Sequence, residues 1–272
     1  MNLLFWNINR KPLSGEIKSL CDCYDVDVLI LAENTMQDAE LLPALNENND
    51  RIFIAPNNQS KKISFYTRIH DFEPIHDDQW GSIRKLVHPL GIEILLVAVH
   101  IQSKLYLTET EQSFISARIV REIDRREQEQ RHTRTVVIGD FNMNPFEAGL
   151  VCAEGFHGVM DKHIALKQYR TVSGEKKKYF YNPMWSKLGD DSEGCAGTYY
   201  YNKSRIIDYF WNTLDQVLLR PSLLTYFNQK NLKVIDKIGD IDLIKNGKIS
   251  NKFSDHLPLM VKLTMSQFSG DK

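Results

Sequence analysis

The sequence TVVIGDFNMNP, residues 135–145, joins an apolar, β-branched run to a polar segment. The run predicts a buried strand, and Asp140 and Asn142 follow it two positions apart. Side chains two positions apart on an extended chain leave the same face, so Phe141 turns the other way, into a core. Polar groups beside a core are costly unless they are paired or bind a metal. The stretch therefore predicts a strand with a functional carboxylate and amide at its carboxyl end.

Other apolar runs also end in a polar side chain. Asn7, Glu33 and His100 each follow directly on such a run. Taken singly, each residue fits a turn or a helix cap. The repetition favours a different interpretation, because strand ends that are distant in sequence converge in space. Carboxylates, amides and imidazoles are the groups that hold a hard cation and a phosphate.

A second motif, SDHLP at residues 254–258, lies just before the last apolar run. It places the carboxylate of Asp255 beside the imidazole of His256. Two arrangements remain open on the residues alone. The aspartate orients the histidine, or one of the two binds a metal while the other meets a phosphate.

Short apolar runs alternate with helical periods along the chain, which predicts an α/β fold. Consecutive runs over residues 77–99, with a turn at residues 89–91, favour antiparallel hairpins within a mixed sheet. We predict two packed sheets with helices outside, in a single domain over residues 1–272. The strand candidates are residues 3–8, 26–31, 63–66, 83–87, 92–99, 135–138, 216–219 and 259–263.

Two helix starts are recognisable. Ser14 is predicted to cap a helix that buries Ile17 and Leu20, and Thr108 with Glu111 forms a capping box that opens a longer helix. The arginines of the longer helix interleave with acidic residues, which is typical of a solvated, salt-bridged face.

Composition excludes several classes of protein. The chain has 34 Lys and Arg against 35 Asp and Glu, so binding of a polyanion needs a local patch. No apolar run reaches the ~18 residues that span a bilayer, and the first ten residues are too polar for a signal sequence. Cysteines at positions 21, 23, 152 and 195 fit neither a zinc site nor a disulfide framework. We predict a cytoplasmic protein with reduced thiols and no membrane partner.

The order of these motifs resembles the endonuclease/exonuclease/phosphatase superfamily. That order is WNIN at residues 6–9, Glu33, His100, GDFN at residues 139–142, an aspartate that opens a strand, and SDHLP. The superfamily includes deoxyribonucleases, apurinic endonucleases, tyrosyl-DNA phosphodiesterases, inositol polyphosphate 5-phosphatases and neutral sphingomyelinases. The resemblance implies a four-layer sandwich of two mixed β-sheets flanked by helices.

The resemblance also implies a role for each motif residue. Glu33, with Asn7 beside it and Asp255 as a further ligand, is expected to hold the metal. Mg²⁺ is the expected ion, with Mn²⁺ as a possible substitute, because the ligands are oxygens. The expected catalytic set comprises Asp140 at the attacking water, the phosphate contacts Asn142 and His100, and Asp215 and His256.

The aspartate that opens a strand requires a choice between two positions. Asp208 lies in IIDYFW, residues 206–211, and Asp215 lies in DQVLLRPSLL, residues 215–224. The second stretch matches the whole family pattern of an aspartate, a variable residue, a short apolar strand, a turn and Ser-Leu-Leu. We therefore assign Asp215.

Two segments bear on the substrate. Lys176, Lys177 and Lys178 lie in a predicted insertion at about residues 163–195 and run into aromatic residues, a pattern that suits phosphate contact with base stacking. A solvated loop explains the same pattern equally well. The stretch GTYYY, residues 197–201, is interpreted as a strand rather than as a substrate contact.

These observations predict an enzyme: a metal-dependent phosphodiesterase that hydrolyses phosphate esters by attack of water on phosphorus, with DNA as the substrate. One alternative is a phosphatase or phosphodiesterase for an inositol phosphate, a lipid headgroup or a nucleotide. A second alternative, of another class, is a non-catalytic module that binds nucleic acid.

Overall fold

The apolar runs form strands in the computed structural model, which describes residues 1–56, 62–190, 194–203 and 206–265. Residues 191–193 of the predicted insertion lie outside the described residues. The helices are α1 (Ser14–Cys23), α2 (Asp38–Asn46), α3 (Glu109–Gln130), α4 (Ala148–Val151) and α5 (Lys162–Ala165). The strands are β1 (Asn2–Asn7), β2 (Val28–Ala32), β3 (Ile63–Thr67), β4 (Phe72–Asp77), β5 (Gly81–Val87), β6 (Glu93–His100), β7 (Thr135–Asp140), β8 (Gly158–Val159), β9 (Tyr169–Val172), β10 (Glu175–Lys178), β11 (Phe180–Tyr181), β12 (Tyr199–Tyr200), β13 (Trp211–Asn212), β14 (Asp215–Leu219), β15 (Phe227–Val234), β16 (Lys237–Ile238), β17 (Ile241–Asp242), β18 (Ile244–Lys245), β19 (Lys248–Ile249) and β20 (Leu259–Leu263).

The two larger sheets of the described chain are both mixed. One has the strand order β15-β20-β1-β2-β3, and β1 pairs with β2 in parallel. The other has the order β4-β5-β6-β7-β14-β11-β8, and β6 pairs with β7 in parallel. Strands β4, β5 and β6 form two consecutive antiparallel hairpins, as the turn before β6 predicted.

Alternation along the strands separates the interior into two cores. In β6, Leu96 and Ala98 join the core that also contains the first sheet, whereas Leu95 and Val97 join a second core with Ile119 of α3. This period of two places one face of the larger sheet against the smaller sheet and the other face under α3.

Helices complete the outer layers. Ile17 of α1 and Leu41 of α2 are buried in the core that contains β1 and β2. The predicted α/β sandwich of two mixed sheets flanked by helices is confirmed. No helix within the described residues is long and apolar enough to cross a bilayer.

Local signals had mixed outcomes at the helix starts. The capping box is present: the Oγ1 of Thr108 accepts from the amide of Glu111 at 3.2 Å, and the Glu111 carboxylate accepts from the amide of Thr108 at 2.7 Å. The cap predicted at Ser14 is wrong, because Ser14 is already helical and Leu13 occupies the cap position without a side-chain hydrogen bond.

Several strands had no clear apolar signal. Strand β15 forms an edge of the smaller sheet, and its sequence FNQKNLKV exposes or half-exposes most of its polar residues. An edge strand with one solvated face carries few apolar residues, so its sequence does not separate it from a loop.

A buried ionic network joins α3 to the larger sheet at the end where β7 begins. The Nε of Arg220 lies 2.8 Å from Glu127, and both side chains are only 1% exposed. Glu127 also accepts from the hydroxyl of Thr135 at 2.8 Å and pairs with Lys178 at 2.9 Å. Each charge in this network therefore has a partner, which burial requires.

We expect Glu127→Ala to lower the free energy of unfolding by about 3–5 kcal/mol, because it removes the buried one of the two carboxylates that pair with the guanidinium of Arg220. Urea denaturation followed by circular dichroism measures the loss. The matched control is Glu129→Ala on the same helix, whose exposed ion pairs with arginines are worth about 0–1 kcal/mol. Equal losses in the two variants would contradict the importance of the buried network.

Candidate active site

The carboxyl ends of the central strands meet at a cleft of about 660 Å³. Asn7 pairs in register with Ala32, one residue before Glu33, and His100 pairs with Asp140. Strand β14 runs antiparallel to β7 and places Asp215 opposite Asp140. The sheet pairing therefore brings together side chains that are up to 208 positions apart in the sequence.

Asp140 is the buried carboxylate at the floor of the cleft. Its two oxygens accept hydrogen bonds from the side-chain amide of Asn7 at 3.1 Å and from the backbone amide of Asn142 at 2.9 Å. Burial raises the pKa of Asp140 to about 7, and the nearby Asp215 carboxylate acts in the same direction. A carboxyl group with this pKa exchanges a proton near neutral pH.

His256 lies between two carboxylates. Its Nδ1 is 2.8 Å from Asp215, and its Nε2 is 3.9 Å from Asp140. Burial alone lowers the pKa of His256, but the charges of Asp215 and Asp140 outweigh burial and raise the pKa to about 10. The imidazole is therefore protonated at neutral pH in the metal-free protein, and it compensates the two buried carboxylates.

The backbone around His256 and Asp215 makes hydrogen bonds that connect it to neighbouring elements. The indole nitrogen of Trp6 donates to the carbonyl of His256 at 2.9 Å, and the hydroxyl of Ser254 donates to the carbonyl of Asn7. The amide of Asp215 donates to the Oγ1 of Thr198 at 3.0 Å. The bonds of Trp6 and Ser254 hold the SDHLP motif against β1.

Glu33 and His100 form the side of the cleft nearest β2. Glu33 has a φ of +51°, which turns its carboxylate out of the direction of β2. Its Oε1 is 3.5 Å from the Nε2 of His100, and its Oε2 is 3.5 Å from Arg10. Burial and the nearby cationic side chain of Lys62 lower the pKa of His100 to about 4, so this imidazole is neutral at pH 7.

Two sets of groups could hold a cation. Asp140, Asp215 and His256 place one ligand atom each within 4.8 Å of one another, the one such group found in the described part of the chain. The nitrogen of His256 nearest Asp215 is already engaged, however. Glu33 and the side-chain oxygen of Asn7 offer the hard oxygens that Mg²⁺ prefers, beside a wide cleft.

The remaining predicted catalytic residues lie at the same cleft. Asn142 lines it with a φ of +51°, and its side-chain amide donates to the carbonyl of Ile101 at 2.9 Å. Asp255 lines the cleft beside His256. Asp208 does not line it; its carboxylate instead accepts from the backbone amide of Phe210. The geometry thus agrees with the choice of Asp215 over Asp208.

The structure does not bring the three lysines of the insertion to the cleft. They belong to β10, which pairs with β9 in a separate hairpin. Lys178 binds Asp124 and Glu127 near the end of α3, at 2.9 Å each. Strand β14 begins at the cleft and ends at Leu219, next to Tyr181, so the insertion meets the far end of the sheet.

The ion pairs of these lysines support the solvated alternative. Lys177 pairs with Glu154 at 2.8 Å and with Glu175, and Lys176 lies 4.5 Å from the ring of Tyr169. Their charges are largely compensated within the protein. A substrate contact at these residues has no geometric support.

Sequence reasoning missed several residues of the cleft. Arg10, Lys62 and Lys104 line it, although they stand singly in the sequence, and Arg10 and Lys104 pair there with Glu33 and Glu147. Tyr199 belongs to β12, as the strand interpretation predicted, but its ring also lies 4.8 Å from that of His256. The aromatic run GTYYY was the available signal, and a strand explained it equally well.

Comparison with known proteins bears on the fold. No family model and no curated protein matches the sequence. Solved structures do match over nearly the whole chain. The 3′-5′ exonuclease NExo from Neisseria meningitidis is 14% identical, with a TM-score of 0.57, and the match covers 97% of this chain and 100% of that one.

Two further structures have the same coverage of this chain, 97%. An endonuclease/exonuclease/phosphatase family protein from Leptotrichia buccalis is 16% identical, with a TM-score of 0.57 and 100% of its own chain covered. D. rerio TDP2, complexed with single strand DNA product, is 15% identical, with a TM-score of 0.56 and 99% covered. At this identity the likeness shows the fold: the chain has the endonuclease/exonuclease/phosphatase fold, as the motif order implied.

We expect Asp215→Asn to lower the pKa of His256, because Asp215 supplies the closest negative charge to its ring. Titration of the imidazole proton resonances by NMR, in metal-free buffer, measures the shift. Asp208→Asn is the matched control and leaves the pKa of His256 unchanged. A pKa that stays at about 10 in Asp215→Asn would contradict the ion pair described above.

Proposed function

We propose that the protein is a divalent-metal-dependent phosphodiesterase that hydrolyses DNA by attack of water on phosphorus. The observation that carries the proposal is the buried Asp140–His256–Asp215 arrangement, which lies beside Glu33 and Asn7 at the floor of one cleft. The described residues share a continuous core between the two sheets, which supports their action as one catalytic domain.

The donor set fits a hard divalent cation. Glu33 supplies a carboxylate, Asn7 supplies an amide oxygen, and Asp255 is a further carboxylate at the same cleft. Oxygen ligands and room for water favour Mg²⁺, with Mn²⁺ as a substitute. When bound, the metal offsets negative charge at phosphorus and at the leaving oxygen.

Asp140 is the group that positions the attacking water and accepts its proton. Its pKa of about 7 suits a general base, and the hydrogen bonds from Asn7 and Asn142 fix the direction of its oxygens. Asn7, one of the residues that would hold the metal, therefore also donates a hydrogen bond to the base, Asp140. This coupling aligns the water with the phosphorus.

His256 and His100 have different charges and therefore different roles. Asp215 keeps His256 protonated, and its Nε2–H faces the cleft, where it donates to a phosphate oxygen. His100 is neutral, and it contacts the phosphate together with Asn142. Neutral and charged donors on the same phosphate stabilise the negative charge that develops in the transition state.

The proposal of DNA as the substrate rests on two observations. Arg10, Lys62 and Lys104 bring cationic side chains to the cleft, where they can meet phosphates. Proteins with the same fold include an exonuclease and a protein complexed with single strand DNA product. The lysines of β10 are not part of the substrate surface proposed here, because they lie away from the cleft.

We expect Glu33→Gln and Asp140→Asn to lower the turnover of DNA by about 10²–10⁴-fold, because each removes a charge used at the metal or the water. Melting temperatures near that of the wild type would show that the fold is intact. EDTA should abolish turnover and added Mg²⁺ should restore it. Full activity of either variant would overturn the site assignment.

A panel of substrates separates the candidate functions. Single-stranded and duplex DNA, RNA, an inositol polyphosphate and bis(p-nitrophenyl) phosphate are tested with Mg²⁺. Hydrolysis of DNA supports the proposal. Hydrolysis of the inositol phosphate without DNA hydrolysis would identify a small-molecule phosphatase. Binding of DNA without any hydrolysis would identify a non-catalytic module.

We expect Asp215→Asn to reduce turnover by about 10²-fold or more, because the buried imidazole loses the carboxylate that keeps it charged and oriented. Asp208→Asn, the matched control, changes a carboxylate that caps a loop amide outside the cleft, and should retain activity. Rates on the same oligonucleotide measure both effects. The reverse order would show that Asp208 is the functional aspartate.

A further inference from the structure

Aromatic side chains extend from the floor of the cleft to its solvent-exposed edge. Tyr199 contacts the ring of His256, and its ring stacks with Tyr201 at 6.4 Å and 22°. Tyr106, on the segment between β6 and α3, lines the same cleft and is 77% exposed. Tyr209 is 58% exposed. We call Tyr106 and Tyr209, with Phe146, the aromatic rim.

The rim is attached to the cleft by defined contacts. The backbone amide of Tyr201 donates to the carbonyl of Phe210 at 2.7 Å, which joins the segment around Tyr209 to a residue that lines the cleft. Tyr209 packs edge-on against Phe146 at 5.7 Å, and Phe146 precedes Glu147, which also lines the cleft. Backbone connections therefore place the aromatic rim next to the residues that line the cleft.

Cations accompany the rings. Lys203 lies 5.9 Å from the ring of Tyr201. Lys104 lies two residues before Tyr106 and pairs with Glu147. Positive charges interleaved with exposed ring faces are the combination that holds single-stranded nucleic acid, where cations meet phosphates and rings stack on bases. Duplex DNA presents no free base faces, because its bases are stacked on one another.

We propose that the aromatic rim stacks on unpaired bases next to the scissile phosphodiester, so that the enzyme prefers single-stranded DNA to duplex. This inference rests on the proposed function and adds the form of the substrate to it. Tyr106 and Tyr209 are the specificity-determining residues. They act on the bases, whereas the residues at the cleft floor act on the phosphate.

A lipid surface is the competing occupant, because Ile206 and Ile207 are also exposed beside Tyr209. Two features favour nucleic acid. The aromatic surface adjoins a cleft that Lys62 and Lys104 line, rather than forming a purely apolar ridge, and its most exposed rings are those of Tyr106 and Tyr209. Stacking uses the faces of these rings and leaves their hydroxyls in water.

The test measures binding without turnover. A fluorescent, non-hydrolysable phosphorothioate 12-mer is titrated with the protein in EDTA, as a single strand and as a blunt duplex, and anisotropy reports affinity. Tyr106→Ala and Tyr209→Ala are compared with Tyr106→Phe and Tyr209→Phe. The matched control is Tyr169→Ala, since Tyr169 is an exposed tyrosine on the β9–β10 hairpin, away from the cleft.

We expect the single strand to bind about 10-fold more tightly than the duplex. Each alanine variant should weaken single-strand binding about 5-fold or more, because stacking on a ring is lost, and the phenylalanine variants should restore it. Tyr169→Ala should match the wild type. Melting temperatures confirm that the variants are folded.

Three outcomes would overturn the inference: equal affinity for the two forms, alanine variants that behave like Tyr169→Ala, or binding of phosphatidylserine vesicles that the alanine variants abolish in place of DNA binding. Failure of the proposed function has a different signature. In that case the substrate panel shows no DNA hydrolysis, whatever the rim variants do. DNA hydrolysis with indifferent rim variants would remove only the inference.

Discussion

Two carboxylates, Asp140 and Asp215, are buried opposite each other on neighbouring antiparallel strands, and the imidazolium of His256 compensates them. Unpaired charges in such a position would cost several kcal/mol each. The sheet pairing therefore requires the cation that the SDHLP motif supplies from the last turn before β20. The indole of Trp6 donates to the carbonyl of His256, and the carbonyl of Asn7 accepts from the hydroxyl of Ser254, so the two sheets are joined at this point. The ion pair thus links the packing of the sheets to the chemistry of the cleft.

The same geometry separates the roles of chemically similar groups. His256 and His100 both face Asp140 at 3.9 Å, yet the first is charged and the second is neutral. Each ring also has a second carboxylate nearby, but Asp215 lies 2.8 Å from the Nδ1 of His256, whereas Glu33 lies 3.5 Å from His100. Burial lowers the pKa of both imidazoles; the charges of Asp215 and Asp140 outweigh it at His256, whereas the charge of Lys62 adds to it at His100. Asp140 and Glu33 differ in a similar way, since Asp140 is buried and Glu33 reaches the open cleft. One cleft therefore contains a buried carboxyl group, a charged imidazole, a neutral imidazole and an accessible carboxylate, which are the groups that the proposed mechanism uses.

The buried ionic network and the candidate active site occupy opposite ends of the larger sheet. The buried network of Arg220, Glu127 and Lys178 lies where β7 begins and β14 ends, and the cleft lies where β7 ends and β14 begins. Basic residues therefore serve two purposes in this chain. Lys178 of the insertion joins β10 to α3 through Asp124 and Glu127, whereas Arg10, Lys62 and Lys104 line the cleft.

The amino-acid sequence by itself determined the central strands, the capping box of α3 and the polar residues at the strand ends. These features depend on local periodicity and hydrogen bonding between near neighbours, so a short window contains the necessary information. The motif order also indicated the fold. Only the tertiary structure decided which charged side chains have an ionic partner and which side chains lie at the cleft. The sequence left the roles of two groups of residues undecided: the lysines of β10 and the tyrosine at position 199 each fitted either a substrate contact or a purely structural position. Their positions depend on contacts with α3 and with His256, which are distant in sequence, and no local pattern encodes those contacts.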